Sequence, residues 1–392
     1  MSSSSIIGKT EFTIEVVCEK LFKSLGRTAK LDSWQWKAIG VGKGYLSQII
    51  LLQFKWQSAD RLPNSVVLKV PNSQGITKLM EGSEEMIQTM EKFMLVAHEN
   101  EIFAYSVMDN GDLPIPRVYA TQSLTEDQPG LIMMEHIPNG YQSDIIKGYN
   151  NLQQVMSVAD GLAKLHAHCW RTQEWQKNYD YEANRSNFEA LIDSFVSDTH
   201  TQVAAAYPDF YKNYIKPVLE MFSTNQLMQL QFDCAAHLAQ PEVLVHGDFH
   251  INNLFFKNGT NDLLAFIDFQ ICHPGTCMED LNMALVLEFN GEERRQHTNS
   301  VLQFYYERLL NYTNGHCPIS MEDVQKAYQY AMKCSAVMGI ALGAGIWIKL
   351  PELGAEGSKE REENTKMFIT RSVMAIEDAF PDGLNRDNPV RC

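Results

Sequence analysis

Asp248 and Asn253 stand five residues apart in VLVHGDFHINNLFF (243–256), and twenty residues beyond Asp248 comes Asp268, at the end of the apolar run LLAFI. A carboxylate beside an amide on one loop, with a second carboxylate on a neighbouring hairpin, gives hard oxygen donors that can converge on one divalent cation such as magnesium. A buried strand is not ordinarily followed by His246, Gly247, Asp248, His250, Asn252 and Asn253 unless the loop has chemistry to do. His246, Asp248 and His250 also alternate, and Cys272, His273 and Cys277 follow. On a strand, that alternation would put three ligands on one face and make a zinc site. The second group lacks a paired-cysteine knuckle, however, and zinc would leave Asn253 and Asp268 without a role.

The elements that must position these residues fall into two parts. WQWKAIGVGKGYLSQIILLQFKW (34–56) reads as a hairpin, SVVLKV (65–70) as a third strand ended by Pro71, and 79–109 as a helix. RVYATQSL (117–124) and GLIMMEHI (130–137) read as a second strand pair. After Pro138 helices dominate, over 151–170, about 184–205, 208–237, 278–312 with a break, and 320–349, and the strand signals there are the VLVHGDFH stretch and LLAFIDF (263–269). The expected fold class is α+β, with an antiparallel-sheet amino-terminal lobe over 1–137 and a larger, mainly helical carboxy-terminal lobe over 138–392. The serine-rich first ten residues are expected to be disordered.

Composition excludes several classes of function. The chain has 392 residues, 45% of them hydrophobic, and a formal net charge of −15 from 48 acidic and 33 basic residues. That field repels polyanions, so no nucleic-acid partner is expected, and anionic membrane surfaces are disfavoured for the same reason. The longest apolar run, 336–348, has 13 residues including three glycines, short of the roughly 20 a membrane-spanning helix needs. With no apolar signal at the start and scattered cysteines that read as reduced packing residues, a cytoplasmic protein without membrane insertion is expected. The oligomeric state has no signature in the sequence.

HGDFHINN followed by IDFQ resembles the catalytic and metal-binding loops of aminoglycoside phosphotransferase and choline kinase-type enzymes, distant relatives of protein kinases. With MEDL (278–281) and LAKLHAHCW (162–170), the likeness is closer to the ecdysteroid kinase-like, or CHK kinase-like, family and covers roughly residues 35–350. The resemblance implies a two-lobed protein-kinase-like fold and transfer of the γ-phosphoryl group of ATP, with Mg2+, to a hydroxyl of a small molecule. It assigns Asp248 as the catalytic aspartate, Asn253 and Asp268 as metal ligands, and Lys69 as the phosphate-contacting lysine, paired with Glu101 in preference to Glu99. Met134, Glu135 and His136 would form the adenine hinge, and Gly42 and Ser47 would lie near the phosphates, although GVGKG (40–44) does not match the protein-kinase glycine loop. Gly247 stands where protein kinases have arginine, and Phe269 and Gln270 follow Asp268 without a closing glycine, so control by loop phosphorylation is not expected. His246, His166 and His168 are read as structural supports, and Asp280 as either a cap of the helix that begins at MEDL or a brace of the metal loop.

The acceptor has no motif. CSAVMGIALGAGIWIKL (334–350) could line a lipophilic pocket, favouring a sterol-like alcohol, or could be a core helix. Net negative charge favours a cationic acceptor such as choline or ethanolamine instead. A catalytically inactive nucleotide-binding protein of the same fold is the remaining alternative.

Overall fold

In the computed structural model, residues 5–40, 46–57, 62–72, 84–108 and 112–384 are described. The chain divides into two compact units, Met1–Asn139 and Gly140–Cys392.

The first unit opens with helix α1 (Ile14–Leu25), capped by the Thr13 side chain and ended by Gly26 at φ 62°. Five strands follow: β1 (Leu31–Ile39), β2 (Ser47–Trp56), β3 (Ser65–Pro71) and, after helix α2 (Glu84–Val107), β4 (Val118–Gln122) and β5 (Leu131–Glu135). They form one antiparallel sheet in the order β1-β2-β3-β5-β4. Side chains alternate across a sheet. Ile50, Leu52, Val66, Leu68, Leu131 and Met133 therefore share a face and build one core with Ile7, Val17 and Leu21. The same alternation sends Lys69, between Leu68 and Val70, to the opposite face. Disorder was expected over the first ten residues, but Ile7 is fully buried and Ile6 bridges Thr13.

The second unit carries β6 (Gly140–Tyr141), helices α3 (Leu152–Arg171) and α4 (Tyr181–Ala206), a helical stretch α5 (208–220) and α6 (Thr224–Phe232). Short strands β7 (Val243–Val245), β8 (Leu254–Lys257), β9 (Leu263–Phe266) and β10 (His273–Gly275) then alternate with the loops of interest. The unit closes with α7 (Glu279–Glu288), α8 (Gly291–Tyr312), α9 (Met321–Cys334) and α10 (Lys359–Ala379). Its sheets are small: β10 with β7, and β6-β8-β9. Strands β6, β8 and β10 and helix α10 carry no strong sequence signal, whereas α1, not among the elements expected from the sequence, has one: Thr13 before the first turn, apolar Ile14, Val17, Cys18 and Leu21 at helical spacing, and Gly26 after the end. Where one helix is expected over 208–237, the chain instead breaks. Residues Tyr211–Ile215 are π-helical ahead of Pro217, which has no N–H to give the preceding turn, and a Ser223–Gln226 capping box starts α6 afresh.

The segment 334–344 lies largely in the core, while Ile346 beyond it is 46% exposed. Ala336, Val337, Ile340, Ala341 and Leu342 are buried, and a Cβ on Gly339 would come within 2.4 Å of the Met283 sulfur. The space its small residues leave is thus filled by α7, and Trp347 stacks on Phe368 with ring centroids 5.5 Å apart. Of the two readings of this stretch, the core helix is the one the packing matches.

Candidate active site

In the first unit, the alternation that turns Leu68 and Val70 toward α1 leaves Lys69 facing α2. Its Nζ donates to Glu101 Oε2 at 2.5 Å, with the two side chains 8% and 1% exposed. Glu99, two residues earlier, points elsewhere and accepts from Ser123 Oγ and the Leu124 N–H. A buried ion pair of this kind holds a lysine ammonium in one place, and a fixed cation can offset charge on a phosphate.

In the second unit, β7 ends at Val245 and the chain turns sharply. Gly247 has φ 84°, and a Cβ there would lie 2.4 Å from the Ile271 carbonyl oxygen, so only glycine fits. Asn253 ends a 3-10 turn, Ile251–Asn253, and its Nδ2 donates to the Asp248 carbonyl at 2.9 Å. That bond commits the nitrogen and makes Oδ1 the atom a cation would use. The loop is tied to the Asp268 segment by the Ile267 N–H, which donates to the Asn253 carbonyl at 3.0 Å. Asp268 adopts φ 71°, a left-handed conformation that aspartate tolerates better than most residues but that still costs on the order of 1 kcal/mol.

His246 is fully buried and neutral in role: Nε2–H donates to the Ile267 carbonyl at 2.8 Å, and Nδ1 accepts the Asp248 N–H at 3.2 Å. Burial lowers its pKa. It links the Asp248 loop to the strand leading to Asp268. Asp280 does not cap α7. Its carboxylate accepts the His246 N–H at 2.7 Å and the Gly247 N–H at 3.1 Å, bracing the start of the loop. Burial pushes its pKa up to about 7, against the opposing pull of those two N–H groups.

The Asp248 carboxylate is about a third exposed, at 32%, and lies 3.5 Å from His250 Nε2. Burial works to raise its pKa, but the His250 charge and hydrogen bond, with Gln270 donating to Oδ2, hold it well below the usual carboxylate range. For His250 burial acts downward and is outweighed by Asp248, so its pKa is pushed up to about 9. At neutral pH the two form an ion pair. An aspartate kept ionised can accept a hydrogen bond from a hydroxyl and orient its oxygen. At the far end of α7, the buried Glu288 carboxylate accepts the Ile251 N–H. His250 and Glu288 complete the surroundings of Asp248; sequence reasoning gives Glu288 no part, and His250 only that of an alternative zinc ligand. Only the position of His250 within HGDFH could have pointed to more.

The other residues singled out from the sequence are placed as follows. Ser47 opens β2 opposite Pro71. Met134 and Glu135 lie on β5, with Glu135 Oε2 accepting the Arg117 N–H, and His136 Nδ1 lies 2.9 Å from Ser65 Oγ. Gly42 is outside the described residues. His166 sits on α3, which packs against β7, but its own partner is Tyr305 on α8, at 2.7 Å. His246 and His273 are committed to protein groups, the latter to Glu279 at 3.0 Å. Among the described residues no three His, Cys, Asp or Glu side chains are grouped to hold a metal ion. A zinc site therefore has no geometry. The donors that the Asn253 and Asp268 side chains offer are oxygens, which fits Mg2+ completed by substrate phosphates and water.

Comparison with known proteins places the chain. A Caenorhabditis elegans protein described as the uncharacterized kinase-like protein D1044.1 is 24% identical over 378 residues, 92% of this chain and 97% of that one. The uncharacterized oxidoreductase dhs-27 of the same organism is 25% identical over 313 residues, 74% of this chain. The chain spans 37% of the length of dhs-27, so the activity in that description is said of a much longer protein. Among solved structures, a Ralstonia eutropha protein described as a candidate aminoglycoside phosphotransferase overlays with a TM-score of 0.49 at 15% identity, covering 95% of this chain and 99% of that one. The fold is α+β, with the antiparallel-sheet unit first in the chain and the mainly helical unit second. No helix among the described residues is long and apolar enough to cross a membrane. The family model described as "Uncharacterized oxidoreductase dhs-27" (DUF1679) matches residues 4–380, through both units, and the chain belongs to that family.

Proposed function

We propose that this protein is a small-molecule kinase that transfers the γ-phosphoryl group of ATP to an alcohol. The observation that carries the reading is the loop itself: an ionised, partly exposed Asp248 whose carbonyl orients Asn253, with the Asp268 segment bonded to the same loop. The acceptor oxygen attacks the γ-phosphorus, the bond to the β–γ bridging oxygen breaks, ADP leaves, and the hydroxyl proton passes to Asp248. In a loose transition state the proton moves late, so a weakly basic aspartate serves by orienting the hydroxyl. Asn253 Oδ1 and Asp268 would hold Mg2+, which supplies charge neutralisation at the phosphates. Lys69, fixed by Glu101, adds a second cation for the nucleotide phosphates. The hinge role of residues 134–136 is proposed from the sequence resemblance.

An oxidoreductase reading finds no support in these residues. A dinucleotide site of the usual kind needs a parallel βαβ unit, and every pairing between the described strands is antiparallel. The finer assignment, an ecdysteroid kinase-like enzyme with a sterol-like acceptor in the cytoplasm, rests on the motif resemblance. The stretch that favoured a lipophilic pocket is packed largely as core, so a choline- or ethanolamine-type acceptor stands level with it. The test is a screen of purified protein with MgATP against sterols, other lipophilic alcohols, choline, ethanolamine and aminoglycosides, reading phosphorylated product by mass. One phosphorylated alcohol is the expected result. MgATP binding without product from any acceptor would favour the inactive nucleotide-binding alternative, and absence of both would overturn the reading.

A further inference from the structure

We propose that Glu288 is the positioning residue of the catalytic loop, a role that rests on phosphoryl transfer at Asp248. Helix α7 presents two buried carboxylates to that loop, Asp280 and Glu288, eight residues or about 12 Å of helix apart. Asp280 takes the N–H groups of His246 and Gly247, ahead of Asp248. Glu288 takes the N–H of Ile251, between Asp248 and Asn253, where Ile251 is fully buried and water cannot substitute. An N–H buried without an acceptor destabilises the conformation that carries it. The stretch from Asp248 to Asn253 therefore has its one grip from α7 at Ile251.

The main chain at Glu288 and the preceding Leu287 is held by two segments, the 146–149 stretch and α10. The Glu288 main-chain carbonyl accepts the Tyr149 N–H at 3.2 Å. Gly148, at φ 73°, lets the two chains meet, since a Cβ there would fall 1.8 Å from the Glu288 oxygen. The buried Arg371 of α10 donates Nη1 to the Leu287 carbonyl and Nη2 to the Ile146 carbonyl at 3.0 Å. With its main chain anchored in this way, Glu288 presents Oε1 to the Ile251 N–H, while Oε2 is buried without a hydrogen-bond partner, and that one bond fixes the main chain at Ile251 and through it the spacing of Asp248 from Asn253.

The experiment compares Glu288→Met, which keeps the bulk and removes the acceptor, with Glu288→Gln, whose amide oxygen can accept the same N–H. Amide exchange resolved to single residues is read alongside MgATP turnover, with the alcohol found by screening or with water as acceptor. In the wild type, the Ile251 amide should exchange slowly. In Glu288→Met, exchange over 249–253 should rise at least tenfold, and kcat should fall at least tenfold. Glu288→Gln should stay within threefold of the wild type in both. Rapid exchange at Ile251 in the wild type, a folded Met variant with unchanged kcat, or a Gln variant as impaired as the Met variant would overturn the proposal. Should Glu288→Met not fold, wild-type exchange at Ile251 and the Gln variant decide. If the wild type neither binds nor turns over MgATP, the kinase reading falls, and the exchange data still show whether Glu288 holds the loop.

Discussion

The two units hold their chemistry-bearing residues by different physical means. Lys69 and Glu101 are side chains on a strand and a helix, both nearly inaccessible to water, and they neutralise each other directly. Asp248 sits on a loop and is about a third exposed, and the loop is set by bonds to its main chain: Asp280 at His246 and Gly247, Glu288 at Ile251, Asn253 at the Asp248 carbonyl. A buried pair fails as a whole when one member goes, because the survivor is left charged and dry. A loop braced at several main-chain points can lose a side chain from its exposed tip and keep its shape. The first arrangement links function to stability and the second separates them.

The largest effect expected from this contrast is kinetic. Asp248→Asn keeps the volume and the capacity to accept a hydrogen bond but removes the ionised oxygen that takes the proton. Turnover should fall by about 10²–10⁴-fold, while calorimetry finds MgADP affinity within a few-fold and the unfolding midpoint nearly unchanged. Wild-type turnover in this variant would remove Asp248 from the mechanism, and a large loss of stability would show that the loop is not braced as described.

Next in size is the buried pair. Lys69→Met leaves Glu101 ionised without its cation and should cost about 3–5 kcal/mol in denaturant unfolding. Adding Glu101→Leu should recover most of that stability and none of the nucleotide affinity, since a well-packed apolar pair replaces an ion pair at little cost. If the single variant loses less than the double, the pair is not the unit that holds Lys69.

What the sequence discloses follows the same division between local and distant. The spacing of Asp248, Asn253 and Asp268 is legible because those residues belong to one short stretch of chain. Glu101 can be preferred to Glu99 because the family resemblance pairs the glutamate with an aromatic residue four positions on, here Tyr105. The sheet unit is legible through period-two apolar patterns such as SVVLKV. Glu288 is not, because its partner lies 37 positions earlier in the chain and nothing in MALVLEF distinguishes a loop anchor from a helix end. Asp280 is half legible: its place at the start of a helix points to capping, whereas tertiary packing turns its carboxylate to the loop. The break at 211–223 is written in Pro217 and in the Ser223–Gln226 pair, a signal that a long apolar periodicity conceals. The role of Gly339 emerges only once Met283 is known to fill the space above it.

The smallest expected effect is a pH dependence that sharpens the comparison from the side of the loop. Burial pushes the Glu288 pKa up to about 8, against the opposing influence of His250, the Ile251 N–H and Arg371, with Asp248 the other charge that acts on it. An unfolded glutamate titrates near 4.3. Between those values the folded state holds a proton the unfolded state has released, so stability falls as pH rises through this window. The contribution is fully present at and below about pH 4 and is lost by about pH 8. Asp280, pushed up to about 7, acts in the same direction, and so does His250, whose raised pKa adds stability that is lost only as pH approaches about 9. Glu288→Gln removes one of these contributions and leaves the other two. Thermal unfolding at pH 5 and pH 8 should therefore move the wild type relative to the Gln variant by on the order of 5 °C, with the wild type losing more on the alkaline side. Parallel Tm profiles for the two proteins would mean that Glu288 is already ionised at pH 5 in the folded state and that burial does not govern its titration.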